Sequence, residues 1–388
     1  MKSILILGGG ISGLAHAWHA RKKYPDVKIV LLEKERRLGG WVDTQWRGSF
    51  RFEMGPRTFQ TSRSPHLLAL IDELGLTNEL LFSEPGARYL WVQGRLRTLT
   101  SFWPQILWAV ANDCVASKGS SEESIYEFAC RRFGKKAAEL FFDPMAKGIF
   151  GGDIRKLSLE ACFPALHAWD KKHVSVLPEL KRKRTGGLFT LRGGMKTLID
   201  ALHKMPIEIH LGCPVEAIDA GGVLAGGKRW FADRIVSALP GLEIARLCKV
   251  AFSLRHEPLT VVNLGYEKKM AHKGYGYLVP SSEKEEVLGQ IWDSSLFPEG
   301  SQTKMTSMVR GSDPEGVAIG AMRRHLKEVA QPDAILTKEA SLPQYDVGHI
   351  AKIHRFEEEL RHRFPNLKLI GNYLSGPSVE ACIAKAFQ

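Results

Sequence analysis

Three glycines and one acidic residue near the N-terminus carry the clearest chemistry in this 388-residue chain. In ILILGGGISG, the apolar run Ile4 to Leu7 enters a turn in which Gly8, Gly10 and Gly13 hold the spacing G-x-G-x-x-G. Gly8 permits the tight turn, Gly10 lets backbone approach a pyrophosphate, and Gly13 lets a helix pack on a strand. Gly9, Ile11 and Ser12 fill the turn, and a helix opening at Ile11 aims free N–H groups and a positive dipole end at the phosphates. Glu33 closes a second strand, Lys28 to Leu32, about 20 residues on, where an acidic side chain binds ribose hydroxyls. The pattern predicts a dinucleotide site.

The elements that position these residues are readable from period and punctuation. Residues 1–84 form the first part of a nucleotide-binding unit. A helix-rich stretch follows over 85–185, with helices expected at Phe102 to Ser117, Ser124 to Phe133 and Lys135 to Phe142. It carries Trp91, Trp103, Trp108 and Trp169 and ends in the basic run Lys181 to Arg184. Residues 186–257 return to helix–strand alternation, with Met195, Leu198, Ile199 and Leu202 on one helical face. From 258 to 347, LTVVNLGY, YGYLVPSS, VLGQIWDSS and KMTSMVRG read as successive strands of one sheet. Residues 348–388 return to the nucleotide unit, with a strand in LKLIGN and a helix from about Val379. The expected fold is α/β with an α+β substrate part: a Rossmann-like unit, a mixed-sheet domain and a helical insertion.

A net charge of +12 calls for an anionic partner. No Lys/Arg block carries interleaved aromatics, so nucleic acid is not expected. The six cysteines are scattered, with no metal-ligand spacing, and read as thiols in a reducing compartment. No stretch reaches the roughly 18 apolar residues that span a bilayer. The Lys181 to Arg184 run beside Trp- and Leu-rich helices suggests instead contact with an anionic membrane surface. The location expected is the cytoplasm, peripheral on the inner face of the cell membrane; a homodimer is left open.

The order of units resembles the two-domain flavoprotein oxidases, which include amine oxidases and phytoene desaturases. Gly39-Gly40 after Arg37 matches that superfamily's second FAD fingerprint. GGGISG, RLGGW, MGPRTF, GGLFTLRGGMKTL, YGYLVPSSE, LGQIWDSSLFPEG, LPQYDVGH and GNYLSGPSVEACI run the length of the chain. They are similar to phrases of the oxygen-dependent, FAD-containing protoporphyrinogen oxidases. The resemblance implies non-covalent FAD, a porphyrinogen substrate, oxygen as acceptor, hydrogen peroxide as by-product and a place in heme biosynthesis. It leaves coproporphyrinogen III as the alternative substrate. An amine oxidase is disfavoured by GPRTF and LVPSSE, and a carrier of prenylated proteins, sharing the fold, would bind no flavin.

Carried over residue by residue, the resemblance gives the pyrophosphate to Gly8 through Gly13 and the ribose to Glu33, with Lys34 beside it. Gly40, Trp41 and the Gly55-Pro56-Arg57-Thr58 turn would lie along the flavin. Val215 would meet adenine through its backbone, and Val379, Glu380 and Ala381 would hold the ring and ribityl chain. Arg57 would also pair with a substrate carboxylate. Leu278, Phe297 and, more weakly, Met308 would wall the macrocycle. No side chain is assigned the chemistry, no metal is expected, and His349 reads as structural. Asn372 and Glu380 depart from the family pattern, and Gln388 ends the chain about a turn into the final helix. Weaker anchoring of the cofactor is the expectation.

Overall fold

A computed structural model describes residues 1–120, 122–182, 186–219 and 221–388. The Lys181 to Arg184 run reaches outside them at 183 and 184.

The first strand, β1 (Ser3–Leu7), is buried from Ile4 onward and leads into helix α1 (Ile11–Lys23) and strand β2 (Lys28–Leu32). Near-continuous apolar runs of this kind belong to parallel strands covered on both faces. Five parallel strands form the sheet, in the order Glu208–His210, β2, β1, Arg234–Ser237, Leu367–Leu369. The α1 face of this sheet packs on Met195, Leu198, Ile199 and Leu202, all buried on one helical face as their spacing predicts. Helix α2 (Pro65–Glu73) adds Leu67, Leu70 and Ile71 to the same core.

The helical stretch contains α3 (Trp103–Val115), a helix at Ile125–Phe133 and α4 (Asp143–Phe150). A buried charge cluster fixes these helices to the next: Arg132 Nε donates to Asp170 Oδ1 at 2.6 Å, and Arg131 Nη2 reaches Glu123 and Asp170. Such buried charges are tolerable because each is paired.

The second sheet is built mainly of β3 (His256–Tyr266), β4 (Gly276–Leu278), β5 (Val287–Ile291), β6 (Thr303–Val309) and β7 (Ala334–Pro343). Its order is β7-β3-β6-β5-β4, followed by Arg88–Val92 and Arg95–Thr98. Those last two strands lie in the stretch expected to be helical. The run RYLWV is rich in aromatic and β-branched residues, and Gln93 and Gly94, both at positive φ, close a tight hairpin onto RLRT. Arg88–Val92 pairs parallel with β4; every other pairing in the sheet is antiparallel. One face packs on helix Pro314–Leu326 through Val262, Leu264, Tyr277 and Met305.

The chain closes with α5 (Val379–Phe387), a nine-residue helix rather than a single turn. Val379, Cys382, Ile383 and Ala386 are buried against the α1 core. The His16 ring hydrogen-bonds the Ala386 carbonyl at 2.7 Å, and the His19 and Phe387 rings stack 4.9 Å apart. Burial in this contact pushes the His16 imidazole down to about 4. The last helix is thus held firmly in the α1 core.

Candidate active site

The N-terminal turn fits a dinucleotide. Gly8 has φ +98°, a conformation reserved for glycine, and any Cβ at Gly13 would collide with the Gly8 carbonyl oxygen. A Cβ at Gly10 would meet nothing within 4 Å, so the open side of the turn is there. No side chain caps α1 and its first turn has no carboxylate, which leaves its N–H groups to an anion. Glu33 is buried, with Oε2 accepting from the Gly9 N–H at 2.6 Å and Oε1 from the Glu35 N–H at 2.9 Å. It fixes the turn while standing at the end of β2. Lys34 is exposed beside it.

The second fingerprint lies against the first. Gly39 donates to the Gly9 carbonyl at 2.8 Å, and Gly40 sits over the Gly10 backbone. Gly55 packs so closely on the Trp41 carbonyl that no Cβ could be added, which brings the Gly55-Pro56-Arg57-Thr58 turn alongside Trp41. The Thr58 hydroxyl is buried with no hydrogen-bond partner among the described residues. Val215 is half-buried where its ladder to residues 222–225 shifts register.

The α5 residues open a helix that packs beside the nucleotide turn, where Cys382 meets the Ser12 side chain. Val379 is buried in the α1 core. The Ala381 N–H is taken by the Ser378 hydroxyl that caps the helix. Glu380 accepts from the backbone N–H groups of His66 and Leu67 at 3.1 and 2.9 Å and from the His66 ring at 2.6 Å. Its carboxylate caps α2 instead of facing the nucleotide turn.

Arg57 is 9% exposed and fully engaged. Nη1 donates to Asn263, Asp293 and Thr306, and Nη2 to the Glu53 carbonyl at 2.8 Å. The guanidinium clamps the turn to β3 and β6, so pairing with a substrate carboxylate would first break this network. Phe297 lines the same cleft, together with Arg51, Glu299 and Lys304, which pair with one another. His349 is buried, its ring hydrogen-bonded to the Tyr373 carbonyl at 2.8 Å.

The sheet face turned toward these loops is the floor of the site. Leu278, Gly289, Met308, Val261 and Lys338 are direct cross-strand partners in one row and so share that face. Leu278 packs on Gly148 of α4 at one end. Lys338 lies over the Trp41 ring at the other, 5.2 Å from its centroid. Met308 and Val261, at the middle of the sheet, are only half-buried. Central strands normally bury such residues, so this is an apolar cleft between α4 and the Trp41 loop. Val261 and Lys338 were missed in the sequence. Lys338 had a signal: along β7 its register is otherwise Ala334, Leu336, Ala340 and Leu342. Among the described residues no cluster could hold a metal ion.

Comparison with known proteins agrees with this architecture. Residues 11–378 match the model of the flavin containing amine oxidoreductases. Human protoporphyrinogen oxidase is 30% identical, over 100% of this chain and 97% of its own. Coproporphyrinogen III oxidase of Bacillus subtilis is 25% identical, over 98% and 96%. Among solved structures, a protein from Exiguobacterium sp. 255-15 provisionally assigned as protoporphyrinogen oxidase superposes with a TM-score of 0.88 at 22% identity, covering 100% of this chain and 97% of that one. The chain belongs to the flavin containing amine oxidoreductase family, and the flavin for which its dinucleotide turn is built is FAD.

Proposed function

We propose that this enzyme oxidises protoporphyrinogen IX to protoporphyrin IX in heme biosynthesis, with oxygen as acceptor. The observation that carries the reading is the row Leu278, Met308 and Val261, an open apolar floor beside the flavin loops, in a chain related end to end to porphyrinogen oxidases. A flat macrocycle buries most of its surface in such a cleft. FAD supplies the two-electron chemistry when bound. The backbone turn at Gly8 to Gly13 and the uncapped end of α1 hold its pyrophosphate. Trp41 and the Gly55 to Thr58 turn orient it toward the sheet, and Arg57 locks that turn to β3 and β6. Leu278, Met308, Val261 and Phe297 enclose the substrate and exclude water. No side-chain base is required where aromatisation and solvent take up the protons.

Anaerobic addition of protoporphyrinogen to the yellow holoenzyme is expected to bleach the flavin, and readmitted oxygen to restore it. Unbleached flavin would overturn the assignment. Faster bleaching by coproporphyrinogen III would transfer it to that substrate.

The reading extends to a membrane surface. Trp103, Ile106, Leu107 and Val110 form a stripe at helical spacing on α3 and all face solvent, as does Trp108. Lys135 and Lys136 are exposed next to Gly134, on which Trp108 packs. Apolar side chains flanked by cations suit an anionic bilayer, and no described helix is long and apolar enough to cross one. Co-flotation with anionic vesicles, lost in Leu107→Glu, supports attachment; no flotation, or equal flotation of that variant, refutes it.

A further inference from the structure

Lys338 is the one residue of the cleft floor whose chemistry the preceding roles leave unused. Its Nζ is shielded from water and has no hydrogen-bond partner among the described residues. An ammonium carries three donors, and leaving them unsatisfied out of water is costly. The Trp41 face offsets only part of that. Burial and the nearby Arg37 guanidinium both push its pKa down, and only Asp43 opposes them. A methionine or leucine would continue the apolar register of β7 at no such cost. The position therefore demands an acceptor that the protein does not provide.

The neighbours indicate where that acceptor lies. Trp41 follows Gly39-Gly40, which rests on the pyrophosphate turn, and Gly55 of the adjoining turn touches the Trp41 carbonyl. The cross-strand partner of Lys338 is Val261, half-buried at the centre of the floor. The ammonium thus sits where the cofactor loops meet the open part of the sheet. Substrate carboxylates are the other candidate acceptor, but they belong at the rim, where water can reach them. The ring system of a flavin carries carbonyl oxygens and ring nitrogens that accept hydrogen bonds, and reduction adds negative charge to them.

We propose that Lys338 is a positioning and electrostatic residue for the flavin: its ammonium donates to an acceptor edge of the isoalloxazine and favours the reduced, anionic ring. This does not depend on which porphyrinogen is oxidised, or on the substrate being one.

The test needs no substrate. Sulfite adds to oxidised flavin and leaves negative charge on the ring, so a nearby cation strengthens its binding. In FAD-loaded Lys338→Met, sulfite affinity should fall about tenfold, and the two-electron midpoint potential should drop by about 30 mV, its equivalent for that couple. Lys338→Arg should keep both close to wild type, since it keeps the charge. Lys338→Gln, of similar length and uncharged, carries the same expectation should the methionine variant bind no flavin. Unchanged sulfite affinity and potential in a flavin-loaded neutral variant overturn the proposal. Unchanged potential with a raised KM for porphyrinogen also overturns it and assigns the ammonium to a substrate carboxylate.

Discussion

The Glu380 cap makes a prediction that separates two roles for one residue. Family resemblance assigns Glu380 to the cofactor, whereas its carboxylate receives two backbone N–H groups at the start of α2, 314 and 313 positions away in the chain. Replacing it with alanine removes a helix cap, worth about 1 kcal/mol. It also removes a negative charge from a helix N-terminus, worth about 0.3–1 kcal/mol, and exposes a second amide to imperfect solvation. The His66 ring is half-exposed, so its hydrogen bond adds only about 0.5 kcal/mol. Glu380→Ala should therefore cost about 2 kcal/mol, Glu380→Gln about 1, and His66→Ala about 0.5 or less. Urea unfolding at neutral pH of flavin-free protein measures all three. The flavin absorption spectrum and FAD affinity of the refolded variants should match wild type. A Glu380→Ala protein with unaltered unfolding free energy but shifted flavin bands would show that the carboxylate serves the cofactor and that the cap is incidental.

The two ends of the glycine turn should fail differently. Gly10→Ala adds a methyl group into open space, so the apoprotein should stay folded by circular dichroism while FAD affinity falls at least tenfold; Gly13→Ala drives α1 from β1, and soluble protein should be lost. The His16 imidazole has its folded pKa pulled from 6.5 down to about 4, so protons bind the unfolded chain more strongly. Stability present above pH 6.5 should be lost as pH falls toward 4, by about 2 kcal/mol at pH 5, and His16→Asn should lose measurably less over that interval. Met308→Trp fills the middle of the cleft floor and should raise the KM for porphyrinogen with the flavin spectrum unmoved; an unchanged KM would place the substrate elsewhere.

What the sequence disclosed follows from how local each signal is. The β1–α1–β2 unit was legible because turn, helix and acidic residue lie within about thirty residues and each glycine has one steric task. Strands β3 to β6 were legible as β-prone runs bounded by turn residues. The Arg88–Thr98 hairpin was obscured by its tryptophan and its place before three helices, although its Gln-Gly turn was a usable sign. Arg57 was found, but not its engagement, because Asn263, Asp293 and Thr306 arrive from more than 200 residues away. The contact of Glu380 with α2 was hidden for the same reason: no local pattern announces a cap supplied by a distant helix. Lys338 could have been noticed as a cation in an apolar register.

The parallel pairing of Arg88–Val92 with β4 has a consequence for biosynthesis. Residues 88–92 wait for 276–278, and Arg234–Ser237 waits for Leu367–Leu369, more than 100 residues on. Neither sheet can close while the ribosome is still producing the middle of the chain. Both cores therefore form late and together, with strand edges exposed to other nascent chains until then. Fragments cut at either sheet should aggregate rather than fold. The Gly8 turn rests on Ala238, just past the strand Arg234–Ser237, so the nucleotide turn is complete only after the first sheet closes.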